Sequence, residues 1–225
     1  MGDFSGKVVL VTGAGRGVGR ALAEAFVFQG ALVAANDISP VNLNTLVEQI
    51  KKSEGQVRVY VDDVAKKVAV QAIVNQVLDD WGQIDILVNS ANVEPHFPLL
   101  DIDEWDWHRA IDVNLTGAFL MMQSVGRVMR QQGNGVIVNI APIAGRPELP
   151  DQAAYVASKM GLVGLTQQAA HELFPYGIRV HAVCTGFPEC HTSEVSASTN
   201  ITEAVLYLCG ASASHLNGQI MNIPG

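Results

Sequence analysis

Tyr155 and Lys159 stand four residues apart in the segment YVASK, so on a helix both side chains share one face. An ammonium beside a phenol stabilises the phenolate and lowers the tyrosine pKa towards the range of a general acid or base. The same pair also describes an ordinary solvated helix face, so its meaning depends on what else the chain carries. A second group lies near the start, where TGAGRGVG covers positions 12–19. Gly13 suits a tight turn, Gly17 a close approach of backbone to a pyrophosphate, and Gly19 close packing of a helix on a strand. The free amides that open the helix then bind the anion, with Arg16 and Val18 between the glycines. A purely structural glycine turn is the alternative.

Eighteen residues beyond Gly19, a second apolar run ends at Asn36-Asp37-Ile38. A carboxylate at Asp37 accepts hydrogen bonds from ribose hydroxyls and repels a 2′-phosphate, which predicts NAD over NADP. Arg16 points the other way, because a guanidinium can pair with that phosphate; a fixed carboxylate costs the phosphate more than one flexible Arg returns. The competing use of Asp37 is as the N-cap of a helix beginning near Ser39.

These groups need elements to position them. Short Val/Ile-rich runs recur at 8–11, 31–35, 57–61, 84–88, 136–140 and 178–183. Segments of helical period separate them at 17–29, 39–54, 66–81, 101–131 and 152–174, and a last helix at 201–209 precedes a strand at 218–223. Unbroken strands alternating with helices predict an α/β fold, a doubly wound parallel sheet in a three-layer α/β/α sandwich of Rossmann type. No linker or repeat interrupts the alternation, so residues 1–225 read as a single domain. The Ser/Thr-rich stretch 192–202 lacks a hydrophobic stripe and reads as an exposed, mobile loop.

Composition narrows the function. Lys and Arg number 14 against 22 Asp and Glu, a net charge of -8 that disfavours nucleic acid and anionic membranes as partners. The start lacks a basic segment followed by an apolar run, and no stretch approaches the ~20 apolar residues needed to span a bilayer. Cys184, Cys190 and Cys209 have no metal spacing and cannot all pair, which predicts a reducing, cytoplasmic setting without a disulfide framework. His108, His171, His181, His191 and His215 are scattered without ligand spacing, so no metal is expected.

Taken together the chain resembles the short-chain dehydrogenase/reductase family, in its single-domain branch. The resemblance rests on TGAGRGVG at 12–19, Asp37, Asp63-Val64, LVNSAN at 87–92, VNLTGAF at 113–119, VIVNI at 136–140, YVASK at 155–159 and IRVHAVCTG at 178–186. It implies an oxidoreductase that moves a hydride between NAD(H) and a hydroxyl or carbonyl of a small organic substrate. It further implies that Asp63 and Val64 hold the adenine ring and that Asn89 and Ala91 line the adenosine ribose. Ile38 and Gly186 complete the binding residues, and Lys159 binds the nicotinamide ribose. Tyr155 would move the proton, and Asn114 would distort its helix and hold a water in the relay to Lys159. A homodimer or homotetramer built on helices 101–131 and 152–174 is the family expectation, with Leu162, Val163 and Leu165 serving either that surface or the core.

The sequence also departs from the family. The serine that bonds the substrate carbonyl belongs thirteen residues before the tyrosine, where Pro142 stands, with neither hydroxyl nor N–H to offer. Losing one such donor typically costs ~10²- to 10³-fold in rate. Asn-Asn-Ala-Gly becomes Asn89-Ser90-Ala91-Asn92, and Pro-Gly-x-Val-x-Thr becomes Thr185-Gly186-Phe187-Pro188-Glu189-Cys190. Thr192 is near enough to replace the last donor after a small shift. The substrate loop, near 187–200, is shorter than in the family. Glu94, His96 and Glu148 are candidates to replace the serine, His96 against its simpler reading as a solvated loop residue. The nucleotide half of the site is thus intact and the nicotinamide half altered. The alternative function is an NAD-binding regulatory or scaffold protein with little turnover.

Overall fold

The computed structural model describes residues 3–51, 55–142, 150–185 and 194–223. Val8, Val9, Leu10 and Val11 of strand β1 (Val8–Thr12) are all buried, because their side chains alternate between two covered faces of one sheet. Val9 and Val11 pack with Leu22, Phe26, Leu43, Leu46 and Val205 on one side, and Val8 and Leu10 with Val70, Ile73, Met121 and Leu162 on the other. The remaining strands are β2 (Leu32–Asp37), β3 (Gln56–Val61), β4 (Ile86–Asn89), β5 (Gly135–Pro142), β6 (Ile178–Thr185) and β7 (Ile220–Ile223). They form a seven-stranded parallel sheet in the order β3-β2-β1-β4-β5-β6-β7. This is the expected doubly wound architecture, with the chain reversing its direction of travel between β1 and β4. The edge strands β3 and β7 are less covered, with Val59 and Val61 exposed in β3 and no residue of β7 buried.

Helices α1 (Gly17–Phe28), α2 (Pro40–Ile50) and α7 (Glu194–Cys209) cover the first face. Helices α3 (Lys67–Trp81), α5 (Ala118–Gln132) and α6 (Ala153–Leu173) cover the second, and α4 (Glu104–Ile111) leads into α5. Asp103 caps α4 by accepting from the Asp106 amide at 2.8 Å. The helix expected over 101–131 is interrupted by a π-helical stretch, Asp112–Gly117.

One expectation needs correction. The stretch 192–202 is not a loop throughout, because α7 begins at Glu194. Ile201, Val205 and Leu208 anchor that helix in the core, and extension from an anchored end costs only a few tenths of a kcal/mol per Ser or Thr. Of the two uses open to Leu162, Val163 and Leu165, the structure shows the core: Leu162 and Val163 are buried in it and Leu165 packs against it.

His181, in β6, is fully buried. Arg179 Nη1 lies 3.3 Å from its Nε2 and is itself held by the Leu208 and Ala213 carbonyls. Burial, reinforced by that guanidinium, depresses the imidazole pKa to about 4. The unfolded chain takes up the proton near 6.5 and the folded chain only near 4, so stability falls as pH drops through that window. The loss attributable to this group is about 3 kcal/mol. In His181→Gln, urea unfolding should lose that share of the decline between pH 7 and pH 4.5; an unchanged slope would refute the assignment.

Candidate active site

The carboxyl edge of the sheet at the β1–β4 reversal opens into a cleft of about 840 Å³. Its lining includes the expected Gly13, Arg16, Gly17, Val18, Gly19, Asp37, Ile38, Asp63, Val64, Ala91, Tyr155 and Lys159. Gly13 adopts φ 65°, and a Cβ there would lie 2.7 Å from the Ala91 Cα. Gly17 also has positive φ, at 54°, yet a Cβ on it would meet nothing within 4 Å. Gly19 packs onto the Gly13 carbonyl, the close approach expected of the third glycine. No side chain caps α1 and no acid occupies its first turn, so its opening amides are available to an anion.

Asp37 sits across the loop. Its Oδ2 accepts from the Gly15 amide and its Oδ1 from the Ser39 amide, both at 2.9 Å. Ser39 caps α2 through Asn42 at 3.3 Å, which settles the helix-cap question against Asp37. Arg16 is exposed, whereas Arg20, which sequence reasoning passed over, donates to the Gly15 carbonyl and to Asn42 O. Asp63 accepts from the Ala65 amide and from Arg109 Nη1, each at 3.0 Å. Arg109 was also missed; a lone arginine on a helix carries no sequence signal for this contact.

At the other end of the cleft, Tyr155 and Lys159 are both buried, on one face of α6. Lys159 Nζ donates to the Ile140 carbonyl at 3.1 Å and lies 5.9 Å from the Tyr155 ring centroid. Burial lowers the lysine pKa to about 8, against opposing pulls from Glu94 and Cys184. The tyrosine departs from expectation: burial and then the Glu94 charge push its pKa upward, opposed only by a hydrogen bond from the Asn92 side chain. The ammonium is directed at a main-chain carbonyl and not at the phenol oxygen.

Asn114 lies inside the π-helical stretch, the distortion the sequence led us to expect. Its Oδ1 accepts from the Val93 amide at 2.8 Å, and its Nδ2 donates to Val93 O at 2.8 Å and Ser158 Oγ at 3.0 Å. Ser158 in turn donates to the Tyr155 carbonyl at 2.7 Å. Asn89 donates to Asn139 Oδ1, leaving its own Oδ1 buried without a partner. Glu94 accepts from Gln152 Nε2 at 2.6 Å, and His96, largely exposed, joins the same group. The Phe97 amide bonds Asp151 O at 2.8 Å, docking this segment on the start of α6. Pro142 ends β5. Glu148, Gly186, Phe187, Pro188, Glu189, Cys190 and Thr192 fall outside the described residues.

The short chain dehydrogenase family model matches residues 7–201. The 3-oxoacyl-acyl-carrier-protein reductase FabG of Thermotoga maritima is 35% identical over 240 residues, covering 99% of this chain and 98% of its own. The D-threitol dehydrogenase of Mycolicibacterium smegmatis is 41% identical over 183 residues, covering 80% and 70%. A crystal structure of an NAD+-bound xylitol dehydrogenase superposes with a TM-score of 0.90 at 32% identity, covering 99% of both chains.

Asn114 ties the exit of β4 to α6 with three hydrogen bonds. Asn114→Ala leaves the partly buried amide and carbonyl of Val93 without these partners and should cost about 1–3 kcal/mol of stability, read as a lowered urea midpoint. A midpoint within experimental error of the native one would show that the clamp is dispensable.

Proposed function

Because the chain belongs to the short-chain dehydrogenase family, an oxidoreductase family acting on alcohols and ketones, we propose that it interconverts a hydroxyl and a carbonyl of a small organic substrate with NAD(H) as cofactor. The observation that carries this reading is a single cleft with an anion-ready helix start and Asp37 at one end and buried Tyr155 and Lys159 at the other. The residues fit a dinucleotide. Space stands open over Gly17, the α1 amides are uncapped, and the buried Asn89 Oδ1 awaits a donor. Gly13, Arg16, Gly17, Val18 and Gly19 would receive the pyrophosphate, Asp37 and Ile38 the adenosine ribose, and Asp63 and Val64 the adenine. Asn89, Ala91 and Lys159 would line the ribose sites, with Gly186 after β6. When bound, the nicotinamide supplies the hydride acceptor or donor.

The chain's own residues handle the proton. Tyr155 Oη takes the proton of the substrate hydroxyl in oxidation and returns it in reduction. Lys159, held by Ile140 O, is poised near pH 8 to accept or release a proton close to the phenol. Asn114 fixes the backbone of Val93 and, through Ser158, the turn of α6 that carries Tyr155. Glu94 places a negative charge at this end, which favours uncharged, hydroxyl-bearing substrates over anions. The regulatory alternative explains Pro142 but gives no role to a buried Tyr155, Lys159 and Asn114 gathered at one site.

Association into a homodimer or homotetramer belongs to the same reading, with exposed Phe119 on α5 and Met160 on α6 as apolar surface. So does a reducing, cytoplasmic setting, which the buried thiol of Cys209 fits. No helix among the described residues is long and apolar enough to cross a membrane.

The test is NADH absorbance with a panel of alcohols and carbonyl compounds. Tyr155→Phe should lower kcat by ~10²- to 10⁴-fold while ADP-ribose still binds. Turnover that survives the substitution would refute the role of Tyr155, and no turnover across the panel would refute the activity. Asp37→Ser should improve NADP relative to NAD by about tenfold or more in Kd, since it removes a like charge beside the 2′-phosphate. An unchanged ratio would show that Asp37 does not set the preference.

A further inference from the structure

Pro142 leaves the place of the family serine without a side-chain donor, and a carboxylate cannot fill it, because a carboxylate only accepts. Glu94 therefore has a different use in the cleft it lines together with Tyr155 and Lys159. Its side chain is held from the start of α6, where the Gln152 amide, three residues before Tyr155, donates to Oε1 at 2.6 Å. Gln152 is only 5% exposed and its Oε1 is buried without a partner, so the amide is fixed donor-first on the carboxylate at the cost of an unmet acceptor. The backbone on both sides is pinned as well. Asn114 holds the amide and carbonyl of Val93 at 2.8 Å, and the Phe97 amide bonds Asp151 O at 2.8 Å. A carboxylate offers about four acceptor sites. Gln152 and His96, whose Nε2 lies 3.5 Å away, both address Oε1, and the Glu94 side chain remains 31% exposed. The acid is thus positioned in advance and keeps capacity to accept.

A substrate whose reacting carbon lies against Tyr155 displaces water from Glu94. An alkyl group there would leave the carboxylate desolvated and unpaired, whereas a hydroxyl on the neighbouring carbon donates to it. An ammonium on that carbon would also pair with Glu94, but it would stand against the Lys159 ammonium in the same cleft. We infer that Glu94 is a substrate-binding residue that selects compounds with a second hydroxyl beside the reacting one, vicinal diols and polyols, and that Gln152 positions it. The inference rests on the reading of the cleft as a site of alcohol oxidation, and it gives that site a substrate class. The proton of the reacting hydroxyl still passes to Tyr155. The Glu94 charge pushes the ionisation of that phenol upward, so removing the charge moves it to lower pH. Tyr155, Lys159 and His96 are the titratable groups that face Glu94 among the described residues, and all three persist in a Glu94 variant.

The experiment compares native protein, Glu94→Gln, Glu94→Ala and Gln152→Leu in the oxidation of butan-2-ol, butane-2,3-diol and 3-aminobutan-2-ol across pH, with ADP-ribose binding as the check on folding. Native protein should favour the diol over the monoalcohol by about 10- to 100-fold in kcat/KM, the worth of one hydrogen bond to a charged group. Glu94→Ala should erase most of that preference, and Glu94→Gln, which keeps a neutral acceptor, should retain part of it. In both Glu94 variants the rising alkaline limb for butan-2-ol should move to lower pH. Gln152→Leu should raise KM for the diol by a larger factor than KM for the monoalcohol, since it loosens the acid without removing it. Equal use of diol and monoalcohol by native protein would overturn the inference, as would a diol preference that survives Glu94→Ala or a native preference for the amino alcohol. Turnover confined to alcohols or carbonyl compounds outside this series would overturn the inference and leave the activity standing. Absence of turnover with every compound would overturn both.

Discussion

The hydroxyl of Thr12 accepts the amides of Ser90 and Ala91, and this small junction between the end of β1 and the exit of β4 governs the functional edge of the molecule. In a parallel sheet covered on both faces, only the strand ends are free to meet a ligand, and they part where the winding reverses. Thr12 is in register with Asn36 of β2 and Asn89 of β4, and Asn89 with Asn139 of β5, so a row of buried polar side chains follows that edge. These residues bond one another and the loops: Asn36 to Tyr60 O, Asn89 to Asn139, and Asn139 to Thr166. Glycine at 13 lets β1 turn against Ala91 without collision, which brings the glycine loop and the Tyr155–Lys159 pair into one cleft.

Burial governs the electrostatics at the far end of that cleft. An ammonium and a phenol in a poorly solvated place both shift towards their neutral forms, which explains a lowered Lys159 and a raised Tyr155 together. Glu94 amplifies the effect on the phenol and offsets it on the lysine, because its negative charge disfavours phenolate and favours ammonium. The balance at Tyr155 is therefore set by burial and by Asn92 and Glu94 after β4, while Ile140 in β5 engages the lysine one turn along α6.

Much of this was legible from residue types and spacing. The alternation of apolar runs with helical segments predicted the sheet, since a strand buried on both faces must be apolar throughout. The glycine loop and YVASK were readable because each is local: a turn, or two positions on one helical face. Gly13, Gly17, Asp37, Tyr155 and Lys159 all line the cleft as anticipated. Harder to read were Arg20, Arg109 and Ser158, whose contacts depend on packing between elements distant in the chain. The reach of α7 back to Glu194 was likewise hidden, because its Ser/Thr-rich start is poor in intrinsic propensity and is carried by the anchored turns that follow.

Sequence alone determined the winding, the glycine loop, the acid at 37 and the absence of a side-chain donor at 142, since each follows from the chemistry of a single short segment. Only the tertiary structure decided which way the Lys159 ammonium points and that Ser39 and not Asp37 caps α2. Hydrogen-bond direction and desolvation depend on what the rest of the chain packs around a group, and no spacing along the chain encodes that.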